Sequence, residues 1–215
     1  MRTFFDYFQI ASGIAFLSIV FGRALYLRLS RNIQAIAIGG GKRGLVLAVE
    51  LISFAGLAVW MVEIVLYALH CDFRIFPTPL DTLLFDSNVA KMIGVALISV
   101  GLIIFVLAFV SFGDSWRVGF DTKTPGALVT TGLFAVTRNP IYVFLNLWFL
   151  GIFLINGRLI FLIFAVLAMA GIHWQILKEE RFCTNLYGQA YQDYCDSTGR
   201  YVSLRVRANG RAGPT

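Results

Sequence analysis

The chain has 215 residues, 58% of them hydrophobic and 14% charged, with a mean hydropathy of +0.76. A soluble domain is about 45–50% apolar and about 25% charged, so a water-soluble globular fold and a disordered chain are both excluded. The net charge of +6 reports orientation in a membrane protein before it reports nucleic acid.

Five apolar stretches follow in chain order: Tyr7 to Leu27, Leu45 to Leu69, Val89 to Phe112, Ile141 to Ile155 and Leu159 to Leu177. Each is long enough, or nearly so, for a hydrocarbon core of about 30 Å. The fourth is short, which predicts an extended or a broken helix. Arg2 and the apolar run after it show no small-residue cleavage site, so the first stretch reads as a retained span. Only Asn156, Gly157 and Arg158 separate the last two stretches, which predicts a tight helical hairpin.

Basic residues are distributed unevenly among the connections. The end of the first stretch from Arg23 and the loop after it, the loop after the third and the C-terminal tail hold 14 of the 18 Lys and Arg. The other connections hold Arg2, Arg74, Lys91 and Arg158, close in sequence to Asp6, Asp72, Asp81 and Asp86. The positive-inside rule places the basic side in the cytoplasm. The expected fold is therefore an all-α integral membrane protein of five transmembrane helices. Its N-terminus is outside, its C-terminus is cytoplasmic, and a cofactor pocket opens on the cytoplasmic side. Residues 1–110 form a scaffold, 111–207 a catalytic region and 208–215 a frayed tail. Glu50 and Glu63 interrupt the second stretch. Glu63 is placed near the outer interface, and Glu50 in the lining of a cytoplasmic cavity.

Cys71, Cys183 and Cys195 lack metal-site or disulfide-framework spacing, and the two histidines, His70 and His173, are scattered. No metal is expected. The polar surplus lies in two segments, Ser111 to Asn139 and Lys178 to about Arg207, which the hairpin brings together. The first ends in Arg138-Asn139-Pro140-Ile141-Tyr142. Asn is a good helix N-cap and Pro a favoured first helical residue. An Arg beside a helix N-terminus adds an anion site. The second segment begins Lys178-Glu179-Glu180-Arg181. A carboxylate pair at a helix C-terminus is unfavourable, so it reads either as a solvated helix end or as a functional pair held by other groups. Tyr187, Tyr191 and Tyr194, spaced four and three apart, share one helical face and read as an interfacial belt or a pocket wall. Trp116 reads as an interfacial anchor near the substrate. His173, near the end of the fifth stretch, reads as a hydrogen-bonding partner of a neighbouring helix or a substrate contact.

The run Leu-Val-x-x-Gly-x-x-x-x-x-Arg-Asn-Pro-x-Tyr, the hairpin, Glu-Glu and Tyr-Gly-x-x-Tyr-x-x-Tyr together resemble one group of enzymes. These are the integral-membrane methyltransferases, the isoprenylcysteine carboxyl methyltransferase and phospholipid (phosphatidylethanolamine) N-methyltransferase superfamily. The resemblance covers about Phe112 to Val202, and the first two or three spans carry no comparable motif. It implies a cytoplasmic-side pocket for S-adenosylmethionine, with the acceptor entering from the bilayer. By position it implies that Leu128, Val129 and Gly132 line the adenosyl pocket. Arg138, Asn139, Pro140 and Tyr142 match the family's Arg-His/Asn-Pro-x-Tyr segment. Glu179 and Glu180 match its acidic pair, and Tyr187 and Tyr191 the aromatic face behind it. Asn139 stands where prenylcysteine enzymes usually carry His, and the phosphatidylethanolamine branch commonly reads Asn-Pro-x-Tyr, as here.

The expected activity is methyl transfer from S-adenosylmethionine to a membrane-dissolved acceptor, leaving S-adenosylhomocysteine. An amine acceptor needs a carboxylate to take its proton, and Glu179 and Glu180 are the candidates. A carboxylate acceptor needs a cation such as Arg138 or Arg181. The acidic pair favours a phospholipid amine over a prenylcysteine-like amphiphile. A non-catalytic transporter or sensor subunit would spread its polar groups through mid-membrane, whereas here they gather at two segment ends. No nucleic-acid partner is expected, because topology accounts for the basic residues.

Overall fold

The computed structural model describes residues 3–31, 44–112 and 128–202. Trp116, the glycine-rich basic loop and the C-terminal tail lie outside them. The described residues form an all-helical fold: α1 (Phe4–Arg31), α2 (Leu45–Ala68), α3 (Asn88–Phe112), α4 (Pro140–Asn156), α5 (Leu159–Tyr187) and α6 (Gln189–Ser197). Two single 3-10 turns, Thr78–Asp81 and Gly132–Ala135, lie in the connections before α3 and α4. Four helices, α1, α2, α3 and α5, are long and apolar enough to cross a membrane, and α4 is a shorter apolar helix.

Lengths distinguish the two arms of the hairpin. With 17 residues, α4 rises about 25 Å, whereas the 29 residues of α5 rise about 43 Å, at 1.5 Å per residue. The short fourth stretch is thus one unbroken helix. The fifth continues far beyond its apolar run and carries Glu179 and Glu180 on its final turns.

Helix association in lipid relies on close packing and small residues rather than on the hydrophobic effect. Here α3 and α4 meet glycine to glycine. A Cβ on Gly94 would lie 2.6 Å from the Gly151 carbonyl, and one on Gly151 would lie 2.5 Å from Ile98. Around this seam Phe105 stacks on Phe144 with ring centroids 4.4 Å apart, and Trp60 meets Trp148 edge-on at 5.2 Å. Buried polar groups tie in α1: Trp148 donates to Ser12 Oγ at 3.3 Å, and Asn156 Nδ2 to Gln9 Oε1 at 2.6 Å.

The hairpin turns at Gly157, whose φ of 61° is the left-handed helix stop that glycine adopts without strain. The segment before α3 grips this turn: Leu84 N donates to the Gly157 carbonyl at 2.8 Å, and Leu159 N to the Thr82 carbonyl at 2.9 Å. Arg158 adds an ion pair to Asp81 at 2.7 Å, and Tyr67 donates its hydroxyl to the same carboxylate. Glu63 belongs to this end of the bundle but is sealed inside it, 1% exposed, accepting from Ile75 N at 3.3 Å.

Candidate active site

At the opposite end of the hairpin, the start of α4, the end of α5 and the segment after α6 converge. Pro140 occupies the first turn of α4, and Asn139 holds the N-cap position. The expected side-chain cap does not form. Asn139 Nδ2 instead donates to the Arg200 carbonyl at 3.1 Å. Thr137 Oγ1 accepts from Asn139 N at 3.1 Å and donates to the same carbonyl at 3.4 Å. Arg138 N donates to the Gly199 carbonyl at 3.0 Å. The residues before α4 thus hold the strap at 199–200, and this tertiary demand overrides the local cap.

The acidic pair is held by two separate sets of partners. Tyr142 donates its hydroxyl to Glu179 Oε1, which also accepts from Gln175 Nε2 at 3.1 Å. Glu180 receives two guanidinium groups. Arg138 Nη2 lies 3.0 Å from Oε1. Arg200 forms a fork with Nε 3.0 Å from Oε1 and Nη2 2.7 Å from Oε2. The hydrogen bonds that Arg200 donates to Glu180 hold its guanidinium above its already high ordinary pKa. The anion beside the cap arginine is therefore the protein's own carboxylate. Arg138 Nε is buried with no acceptor among the described residues.

An aromatic cluster closes the other side. Tyr191 and Tyr194 are buried against Phe134, with Leu128, Val129, Tyr187, Cys183 and Cys195 packed around them. Burial holds both buried phenols in their protonated form, with pKa values pushed well up. Tyr194 donates to the Phe134 carbonyl at 2.7 Å. The three tyrosines do not share one helix. Gly188, at φ 55° and ψ −128°, ends α5 after Tyr187 and restarts the chain as α6, so only Tyr191 and Tyr194 keep the three-residue helical spacing. Gly132 opens the 3-10 turn against Ser111, whose Oγ would stand 2.8 Å from an added Cβ. Leu128 and Val129 meet this cluster through packed side chains. The open volume lies elsewhere, in a cleft of about 530 Å³ lined by Leu177, Glu180, Arg181, Thr184, Asn185 and Arg200.

Of the residues expected on the substrate side, His173 meets the strap after α6 and Glu50 lies outside the cleft lining. His173 Nδ1 pairs with the Tyr201 hydroxyl at 2.7 Å, and the two rings stack with centroids 6.1 Å apart. Its partner is thus in the strap after α6, not in a neighbouring helix. Glu50 stands partly buried on α2 and is not part of the cleft lining. Trp116 is outside the described residues. Conversely, Gln175 and Arg200 are contacts that motif reading missed. Gln175 was legible in principle, one helical turn before Glu179, but Arg200 sits in a tail read only for its charge.

Residues 89–190 match the family model of the phospholipid methyltransferases. The chain resembles the membrane S-adenosylmethionine-dependent methyltransferase superfamily, and the family implies methyltransferase activity at a membrane lipid. The matched region begins earlier than the motifs suggested, taking in nearly all of α3. The glycine seam explains why a motif-poor helix belongs with the others: α3 and α4 are packed as one unit. The region ends before Tyr191 and Arg200. No curated protein matches the chain in a search, and no solved structure matches it either.

Proposed function

We propose that the protein transfers a methyl group from S-adenosylmethionine to the amine head group of a phospholipid, of phosphatidylethanolamine type. The observation that carries this reading is the Glu179–Glu180 pair, partnered by Tyr142, Gln175, Arg138 and Arg200 beside an open cleft. The pair occurs within a phospholipid methyltransferase region.

The residues present fit an amino-acid-bearing sulfonium donor. Glu180, Arg181, Thr184 and Asn185 offer the cleft both signs of charge and neutral hydrogen-bonding groups. Arg138 Nε is a buried donor without an acceptor among the described residues, suited to a ligand carboxylate. When bound, the donor supplies a methyl group already activated by its positive sulfur. The chain's task is then alignment, proton removal and exclusion of water. Arg138 and Arg200 fix the Glu180 carboxylate, Tyr142 and Gln175 orient Glu179, and the Phe134–Tyr191–Tyr194 cluster closes the site against water.

Length supports an active site at the cytoplasmic surface. A span of about 20 residues from Leu159 ends near Lys178, which leaves the acidic pair at the membrane boundary on the side holding 14 of 18 basic residues. In this reading α4 is the fourth of five spans, held short so that its Arg138–Tyr142 end meets the acidic pair at that boundary. A prenylcysteine carboxylate would need a cation, and with Arg138 and Arg200 committed to Glu180 that role falls to Arg181 in the cleft lining.

The test is calorimetric titration of the purified protein with S-adenosylhomocysteine, followed by labelled donor and a total lipid extract. Binding together with label in amine-bearing phospholipids is the expected result. A folded protein that binds nothing would remove the methyltransferase reading. Label confined to farnesyl- or geranylgeranyl-cysteine analogues would replace the amine with a carboxylate acceptor.

A further inference from the structure

We infer that the acidic pair is divided in function, with Glu179 as the proton acceptor, Glu180 as a fixed anion, and Arg200 as the residue that positions it. This rests on the amine-methylation reading and adds an assignment that adjacency in sequence cannot supply.

The division follows from the partners. Both oxygens of Glu180 are occupied, Oε1 by Arg138 and Arg200 and Oε2 by Arg200 again. A carboxylate between two guanidiniums is a poor place for a proton, since protonation would break charge-assisted bonds on both sides. Among the described residues Glu179 makes no such pair. Its two bonds there are neutral and both fall on Oε1, which leaves Oε2 to receive a proton. The neighbouring ammonium, Lys178, lies over the Trp174 ring, 4.3 Å from its centroid, and acts on Glu179 as a nearby charge without bonding to it. The other titratable groups facing Glu179 are Tyr142 from α4 and Cys183 from its own helix. Proton and electron bookkeeping is then simple. The amine nitrogen forms the new N–CH3 bond, the S–CH3 bond breaks with its electron pair going to sulfur, and the nitrogen's surplus proton passes to Glu179 Oε2.

Arg200 does more than neutralise. Its carbonyl is held by Asn139 and Thr137, and the backbone beside it by Arg138 N. Tyr201, next along, is held by His173. The guanidinium fork therefore springs from an anchored backbone, and it fixes the Glu180 carboxylate, one residue from the base, in both position and plane. The strap at 198–202 is thus a working wall of the site.

The experiment compares full-length Glu179→Gln, Glu180→Gln, Arg200→Gln and Arg200→Lys with wild type in phosphatidylethanolamine-containing nanodiscs. It reads S-adenosylhomocysteine binding, chymotrypsin cleavage after Tyr201 and methyl transfer against pH. Glu179→Gln is expected to lose about 10²-fold or more in rate at neutral pH while binding S-adenosylhomocysteine within about threefold of wild type. Its rate should recover about tenfold per pH unit above neutrality, because the acceptor amine then sheds its own proton. Glu180→Gln and Arg200→Gln should weaken binding about tenfold or more, speed cleavage of the strap and show no alkaline recovery. Arg200→Lys should restore cleavage resistance in part but not full binding, since a lysine cannot fork. Alkaline recovery in Glu180→Gln instead of Glu179→Gln would reverse the assignment, and a Glu179→Gln enzyme with wild-type rate and pH profile would abolish it. Wild type that binds S-adenosylhomocysteine but methylates only carboxylates overturns the amine reading itself, a result distinct from any pattern among the variants.

Discussion

Tyr142, in the first turn of α4, donates its hydroxyl to Glu179, 37 residues later on α5. This bond joins the two arms of the hairpin and helps decide which oxygen of the carboxylate is left free. A Tyr142→Phe variant removes the bond without altering the packing of the ring. Methyl transfer should fall about tenfold, matching a loss of roughly 1–1.5 kcal/mol for one hydrogen bond. Binding of S-adenosylhomocysteine should change little. Steady-state kinetics beside calorimetry checks both halves.

Arg138 is expected to be intolerant of its usual substitute. Its Nη2 reaches Glu180 at 3.0 Å while Nε remains a spare buried donor. Lysine would keep the charge but lose the second donor. Arg138→Lys should therefore weaken S-adenosylhomocysteine binding about tenfold, and Arg138→Gln by more, since it also strips Glu180 of one cation. Calorimetric titration of the two variants is the measurement.

The α3–α4 seam predicts a folding defect remote from chemistry. With Gly94 and Ile98 already against Gly151, a valine at 151 must push the helices apart. Gly151→Val should cost about 1–3 kcal/mol, as overpacking does. A lower midpoint in a thermal scan by tryptophan fluorescence, relieved by added S-adenosylhomocysteine, is the expected outcome.

The outer cluster predicts the opposite separation of effects. Asp81 receives Arg158 and Tyr67, far along α5 from the acidic pair. Asp81→Ala should lower thermal stability by about 1–3 kcal/mol, because it strips a partly buried arginine of its counter-ion and leaves a phenol unpaired. The affinity for S-adenosylhomocysteine should stay within about twofold. Paired melting and titration measurements test this.

Much of this was readable in the residues. Apolar runs gave the long helices to within about four positions, save the C-terminal end of α5, because lipid forces every backbone group into an internal bond and so makes the hydropathy signal strong. Asn156-Gly157-Arg158 gave the hairpin, and Arg138, Tyr142 and the two glutamates are brought together in the candidate site. What escaped was tertiary. Asn139 has the residue type of a cap, yet its amide serves the Arg200 carbonyl. Tyr187, Tyr191 and Tyr194 have helical spacing, yet Gly188 breaks the helix between them. Arg200 lies 62 residues from Arg138, and no local pattern announces that they share one carboxylate.

The 29-residue length of α5 also makes the site a gauge of bilayer thickness. The acidic pair begins one residue beyond the about 20 that a typical hydrocarbon core covers, and each residue adds only about 1.5 Å. A membrane thicker by two or three ångströms would draw acyl chains level with the carboxylates, and a thinner one would lift them clear. In the proposed function the lipid would then be more than the reactant: its chain length would set how deep the acidic pair lies.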